Sequence, residues 1–103
     1  MASSQLLIVG SIRLSRGMTD DVRHAMAAMI EASRAEQGCL SYSYAEDVLE
    51  PGLIRVTEIW ASREALDAHF KSVHLKTWRA TWARLGVSDR RLTLYECVAA
   101  APV

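Results

Sequence analysis

Residues 39–60 read CLSYSYAE, then DVLEPG, then LIRVTEIW. Two eight-residue stretches rich in β-branched and aromatic residues flank a six-residue segment punctuated by Pro51-Gly52, the pattern of an antiparallel hairpin. In a strand, successive side chains point to opposite faces. Leu40, Tyr42 and Tyr44 therefore share one side of the first strand, and the small residues Cys39, Ser41, Ser43 and Ala45 the other. In the second strand, Ile54, Val56, Glu58 and Trp60 face one way, and Leu53, Arg55, Thr57 and Ile59 the other. Pairing Tyr42 near Glu58 gathers Tyr42, Tyr44, Glu58 and Trp60 on a single face. A lone hairpin is marginal in water, so what flanks it decides the fold.

Upstream, Gln5 to Leu14 is an apolar stretch too short for a buried helix and reads as a strand. After Gly17, Thr19 is a helix N-cap with Asp20 and Asp21 in the first turn, where the helix dipole favours acids. Val22, Ala25, Met26, Met29, Ile30 and Ser33 form one apolar stripe, and Gly38 is the stop. Downstream, Ser62 caps a helix with Leu66, His69, Phe70 and Val73 on its inner face. Leu75, Trp78, Trp82 and Leu85 continue the spacing after a kink near Ser72, Gly86 ends it, and Arg91 to Val98 is a last strand. The order β-α-β-β-α(α)-β predicts an α+β, ferredoxin-like split βαβ fold: one domain over 1–103, with a four-stranded antiparallel sheet and helices on one face. The uncovered face would carry Leu7, Val9, Cys39, Leu53 and Ile59 among polar residues. A half-apolar open face is a dimerisation surface, so a homodimer with sheet against sheet is expected.

Twelve Lys+Arg balance twelve Asp+Glu, and the formal net charge is zero. Without a basic stripe, nucleic acid has no electrostatic footprint. No apolar run approaches the roughly 20 residues a membrane crossing requires, and the N-terminal stretch has no basic segment before its short apolar run. A cytoplasmic protein is expected, with Cys39 and Cys97 as reduced, small buried hydrophobes. No Ser-His-Asp order, P-loop or GxGxxG is present, and the two cysteines lack zinc-site spacing. His69 and His74 lie about 140° apart on a continuous helix. They are poor co-ligands unless the helix breaks between them, and no metal is expected.

The hairpin face therefore carries the chemistry. A buried Glu58 needs a partner, and Tyr42, Arg34 or His69 can supply one. Such a carboxyl has a raised pKa and can accept a proton. Each residue also has a purely structural reading: Trp60 as core, His69 as a hydrogen-bonded core or rim histidine, Tyr44 as core. His74 falls on the rim, and His24 on a solvated helix face. Trp78 and Trp82, at i, i+4, make either a packing stripe or the wall of an aromatic pocket.

The stretches EQGCLSYSY (Glu36 to Tyr44) and EIWASREALDAHFKSVH (Glu58 to His74), with the spacing between them, resemble the antibiotic biosynthesis monooxygenase superfamily of small dimeric α+β-barrel proteins. The resemblance implies an oxidoreductase that needs no cofactor. It would take O2 as co-substrate and bind a small quinol or polyphenol between sheet and helices. Trp60 would be pocket wall and N–H donor, His69 the acid/base, Glu58 its partner, and Tyr42, Tyr44, His74, Trp78 and Trp82 would bind substrate. Other members are haem-degrading enzymes or an isomerase of signalling sugars. An isomerase or other acid/base enzyme, or a non-catalytic dimeric aromatic-binding module, thus stands as the alternative. Several oxygenases and the haem-degrading branch resemble one another in placing an asparagine beside the tryptophan. This chain contains none, which counts against haem degradation and leaves the role to Gln5, Ser11, Tyr42 or a histidine.

Overall fold

Strand β1 (Gln5–Leu14) is central and pairs antiparallel on both sides, with β3 (Leu53–Trp60) and with β4 (Val87–Cys97); β2 (Cys39–Glu46) closes the far edge, giving the order β2-β3-β1-β4. Helices α1 (Asp20–Arg34), α2 (Arg63–Phe70), α3 (Val73–Ala80) and the single turn α4 (Trp82–Leu85) complete the element order. These elements come from a computed structural model that describes residues 4–103. The fold is the expected ferredoxin-like one. No helix among the described residues is long and apolar enough to cross a membrane.

Helix α1 starts where Thr19 Oγ1 accepts the Val22 N–H at 3.2 Å. Its buried residues Val22, Met26, Met29 and Ser33 form one stripe and press on Ile54 and Val56 of β3 and on Ile12 of β1 in a dry core. The hairpin register places Tyr42 opposite Glu58, and β1 places Ile8 opposite the same Glu58.

Four details differ from the sequence expectation. First, β4 begins at Val87, four residues before Arg91. Gly86, with φ 74°, ends α4 in the left-handed region and turns the chain straight into the sheet. The charged run SDRR conceals this strand because it faces solvent. Second, the β1–β4 register shifts between Ser11 and Arg13, so Asp89 and Arg90 both oppose Ile12. This is a β-bulge, and Asp89 has φ 55° within it. Third, Cys39 does not lie on the open face: a register shift between Cys39 and Ser41 sets it opposite Trp60 and against the core; Leu53 keeps its place opposite Arg13 but is only 5% exposed. Fourth, the helix breaks at Lys71–Ser72, so Phe70 and Val73 turn outward while Leu66 and His69 remain buried. Cys97 is partly exposed rather than buried.

Candidate functional site

Glu58 and Trp60 stand two residues apart on the inner face of β3, so the indole reaches along the strand. Trp60 Nε1–H donates to Glu58 Oε1 at 3.0 Å. Tyr42, across the register from Glu58, puts its hydroxyl 3.4 Å from His69 Nε2. His69 comes from the last turn of α2, its Nε2 4.0 Å from Glu58 Oε1. Its ring tilts over Trp60, centroids 4.7 Å apart. All four residues are at most 3% exposed.

The opposite nitrogen of His69 fixes its tautomer. Nδ1–H donates to Glu36 Oε2 at 2.6 Å, which leaves the Nε2 lone pair turned toward Tyr42 and Glu58. The break between α2 and α3 supplies a second donor. Ser72 Oγ–H donates to His69 O at 2.7 Å and Oγ accepts the Leu75 N–H at 3.3 Å, so Ser72 closes one helix and caps the next. The redirected chain lays His74 Nε2 3.1 Å from the same Glu36 oxygen. The condition that spacing set for two histidines sharing a partner is thereby met. One carboxylate and two imidazoles have donor atoms within 4.8 Å of one another, a set that suits a divalent transition metal. The hydrogen bonds already satisfy the three side chains without an ion.

Burial governs the protonation states. It raises the Glu58 carboxyl above its ordinary value, opposed by the Trp60 hydrogen bond. It lowers His69, opposed by Glu36, so the imidazole is held neutral. It raises the Tyr42 and Tyr44 hydroxyls far enough to keep them protonated. The site thus collects a neutral imidazole, protonated phenols and a carboxyl of raised pKa among buried side chains.

Beside this cluster lies a cavity of about 20 Å³, room for one ordered water. Tyr42, Tyr44, Trp78 and Trp82 wall it, and Glu58 and His69 stand at its inner end. Ring stacking continues through it: Tyr42–Tyr44 at 5.6 Å, Tyr44–Trp78 at 6.4 Å and Trp78–Trp82 at 6.0 Å. At that volume an aromatic ligand fits only if the lining side chains move apart.

Of the eight residues expected in a site, six line this cavity: Tyr42, Tyr44, Glu58, His69, Trp78 and Trp82. Trp60 lies behind Glu58, wholly buried, and orients the carboxylate rather than walling the cavity. His74 lines a separate apolar groove between α1 and α3, together with Met29 and Val73. Gln5 and Ser11 occupy the alternate positions of β1, across from Cys97 and Arg91, and do not face the site. Tyr42 and His69 do, so only they can stand where the asparagine would. Sequence reasoning missed Glu36, Arg79 and Arg90. Glu36 carried a usable signal: an acid just past a helix C-terminus opposes the dipole, which favours cations there.

Comparison with known proteins follows the same lines. The antibiotic biosynthesis monooxygenase family pattern matches residues 6–81. An uncharacterised protein of Synechocystis is 34% identical over 71 residues, which is 69% of this chain and 48% of that one. The chain thus spans about half the length of the curated relative it matches. A Deinococcus radiodurans structure provisionally named an antibiotic biosynthesis monooxygenase superposes with TM-score 0.80 at 24% identity, covering 95% of this chain and 97% of the other. A Nitrosomonas europaea structure of the same provisional name gives 0.79 at 20% identity, covering 95% and 93%.

Proposed function

The chain belongs to the antibiotic biosynthesis monooxygenase family, and from its buried acid/base cluster we propose that it oxidises a small quinol or polyphenol with O2, using no cofactor. The observation that carries this reading is His69, held at Nδ1 by Glu36 and presenting Nε2 to the cavity beside Tyr42 and Glu58.

In this mechanism His69 Nε2 removes the phenolic proton. The electron-rich ring, now anionic, passes one electron to O2, and the radical pair closes a C–O bond. Loss of water from the resulting hydroperoxide leaves a quinone. One ring C–H and one O–H are consumed, one oxygen atom enters the product and the other leaves as water, so the four electrons O2 accepts all come from the substrate. Glu36 holds the tautomer and stabilises the imidazolium that forms. Tyr42, kept protonated by burial, hydrogen-bonds the substrate oxygen. A dry, aromatic-walled space protects the intermediates from water.

The open sheet face supports the dimer as part of this proposal. Val9 is 40% and Tyr95 54% exposed there, and a second copy packed sheet to sheet would cover both. A sedimenting mass near 11.4 kDa at micromolar concentration removes it.

Oxygen uptake with a panel of hydroquinones tests the reaction. His69→Ala is expected to reduce turnover by about 10²-fold or more, the usual weight of a general acid/base. Wild-type turnover in that variant removes His69 from the mechanism. An isomerase or other acid/base activity is the second reading. It is favoured by the buried pairing of His69 with Glu58 and by the absent asparagine, and it would show turnover without oxygen uptake.

A further inference from the structure

The cavity lining has two chemically different parts. Glu58, His69 and Tyr42 make the first, already accounted for by proton transfer. Elsewhere in the lining stand two indole donors that make no well-formed hydrogen bond, Trp78 having only the Tyr44 hydroxyl within reach. Trp78 Nε1 and Trp82 Nε1 are both buried and without a hydrogen-bond partner, and Trp78 as a whole is 1% exposed. Both indoles line the cavity. A buried donor left unmade costs about 1–3 kcal/mol, and such groups in native proteins call for a partner. Beside them the same cavity is lined by Arg79 of α3 and Arg90 of β4. The arginines that form ion pairs among the described residues are Arg13, Arg55, Arg63 and Arg91, not these two.

The position of Arg90 is built into the sheet. The bulge that sets Asp89 and Arg90 together against Ile12 lets Arg90 take the inner face while Arg91 returns to register opposite Ser11. Asp89 adopts φ 55° to make the turn, and its carboxylate bonds Arg91 and Arg13, not Arg90. Gly10 admits the bulge, since a Cβ there would lie 1.8 Å from Arg91 O. Bulges next to active sites commonly re-aim a side chain in this way. The only carboxylate lining the cavity is Glu58; both arginines act on it through space, but neither forms an ion pair with it.

We propose that this second part of the lining is an anion subsite, and that the substrate is an aromatic acid: a hydroxylated ring bearing a carboxylate held by Arg79 and Arg90 and by the indole N–H groups of Trp78 and Trp82. This rests on the aromatic-substrate reading above and narrows it. The ring hydroxyl lies at His69, and the carboxylate completes the unmade hydrogen bonds of the indoles. Arginine suits the task because its planar fork matches a carboxylate.

Quenching of tryptophan fluorescence reads binding without turnover, so 2,5-dihydroxybenzoate and hydroquinone are titrated under the same conditions. Dihydroxybenzoate is expected to bind at least tenfold more tightly, with the advantage shrinking as salt rises because the arginines are solvent-accessible. In Arg79→Ala/Arg90→Ala the ratio of the two affinities collapses toward one; circular dichroism confirms that the variant is folded. Equal binding of the two ligands to the wild type, or a ratio that survives in the double variant, overturns the anion subsite and leaves the quinol reading standing. If neither ligand binds, both are overturned.

Discussion

The helical layer covers the sheet in two unlike halves. Under α1, Met26 and Met29 share one core with Ile54 and Val56, and Ser33 is the only polar side chain that the helix buries. Toward α2 and the C-terminal end of α1, where Arg34 Nε–H donates to the Tyr42 carbonyl, the same sheet face carries Tyr42, Glu58 and, from above, His69, each at most 3% exposed. The first half gains stability from burial. The second spends part of that gain on groups that must be hydrogen-bonded to be tolerated, and it leaves a small cavity. A protein that kept such an arrangement for stability alone would do better with leucines there. The difference marks the second half as the working end.

The largest separation between the halves should come from truncation. Ile54, fully buried beneath α1, should lose about 2–5 kcal/mol on Ile54→Ala, read as a drop in the urea midpoint with unchanged slope. Any activity of the folded fraction should persist. If the variant instead loses activity while keeping its stability, the division into a structural and a working half fails. Gly10→Ala comes next. A new Cβ so near the Arg91 carbonyl forces the bulge to shift, at about 1–3 kcal/mol for overpacking. Its effect should be felt more in ligand affinity than Ile54→Ala is, because Arg90 moves with the bulge. Ser72→Ala removes the α3 cap and is expected to cost about 1 kcal/mol. It should also loosen His74 from Glu36, which it meets at 3.1 Å, seen as a change in the His74 ring chemical shifts by NMR.

The first half was legible in the sequence and the second only in part, for physical reasons. Periodicity reports which face is buried, and Val22, Met26 and Met29 declare it without ambiguity. The hairpin likewise placed Tyr42 opposite Glu58 before any coordinates. Glu36 is marked in the sequence only as an acid set against the helix dipole; its partner His69 is 33 residues away, and no local rule links the two. Phe70 and Val73 were assigned inward because helical spacing was carried through Ser72. The serine is a strong N-cap, and reading it as one rotates Val73 outward; Phe70, still within α2, is 39% exposed beside the buried His69. Arg90 was hidden by the bulge, which no alternation pattern announces. The homodimer follows from the sheet's unpaired face and awaits sedimentation.

The smallest effect, and the one with the most informative sign, is that of pH on the working half. Glu58 has its pKa raised by burial, so the native state binds more protons than the unfolded chain above the ordinary carboxylate value of 4.5. Its contribution to stability therefore declines as pH rises through that window toward the raised value. His69 is lowered from 6.5, so the native state binds fewer protons there, and stability declines as pH falls through 6.5 toward the lowered value. The two groups oppose each other across mildly acid pH. Glu58→Gln removes only the first. Because a glutamine oxygen can still accept the Trp60 N–H, the variant should be no less stable than wild type at neutral pH. Its stability should then fall more steeply on acidification, the His69 slope being uncompensated. Urea midpoints between pH 5 and 8 measure this directly. If Glu58→Gln is clearly destabilised at neutral pH, the charged carboxylate is itself a structural anchor, and the contrast between the two halves narrows to the cavity alone.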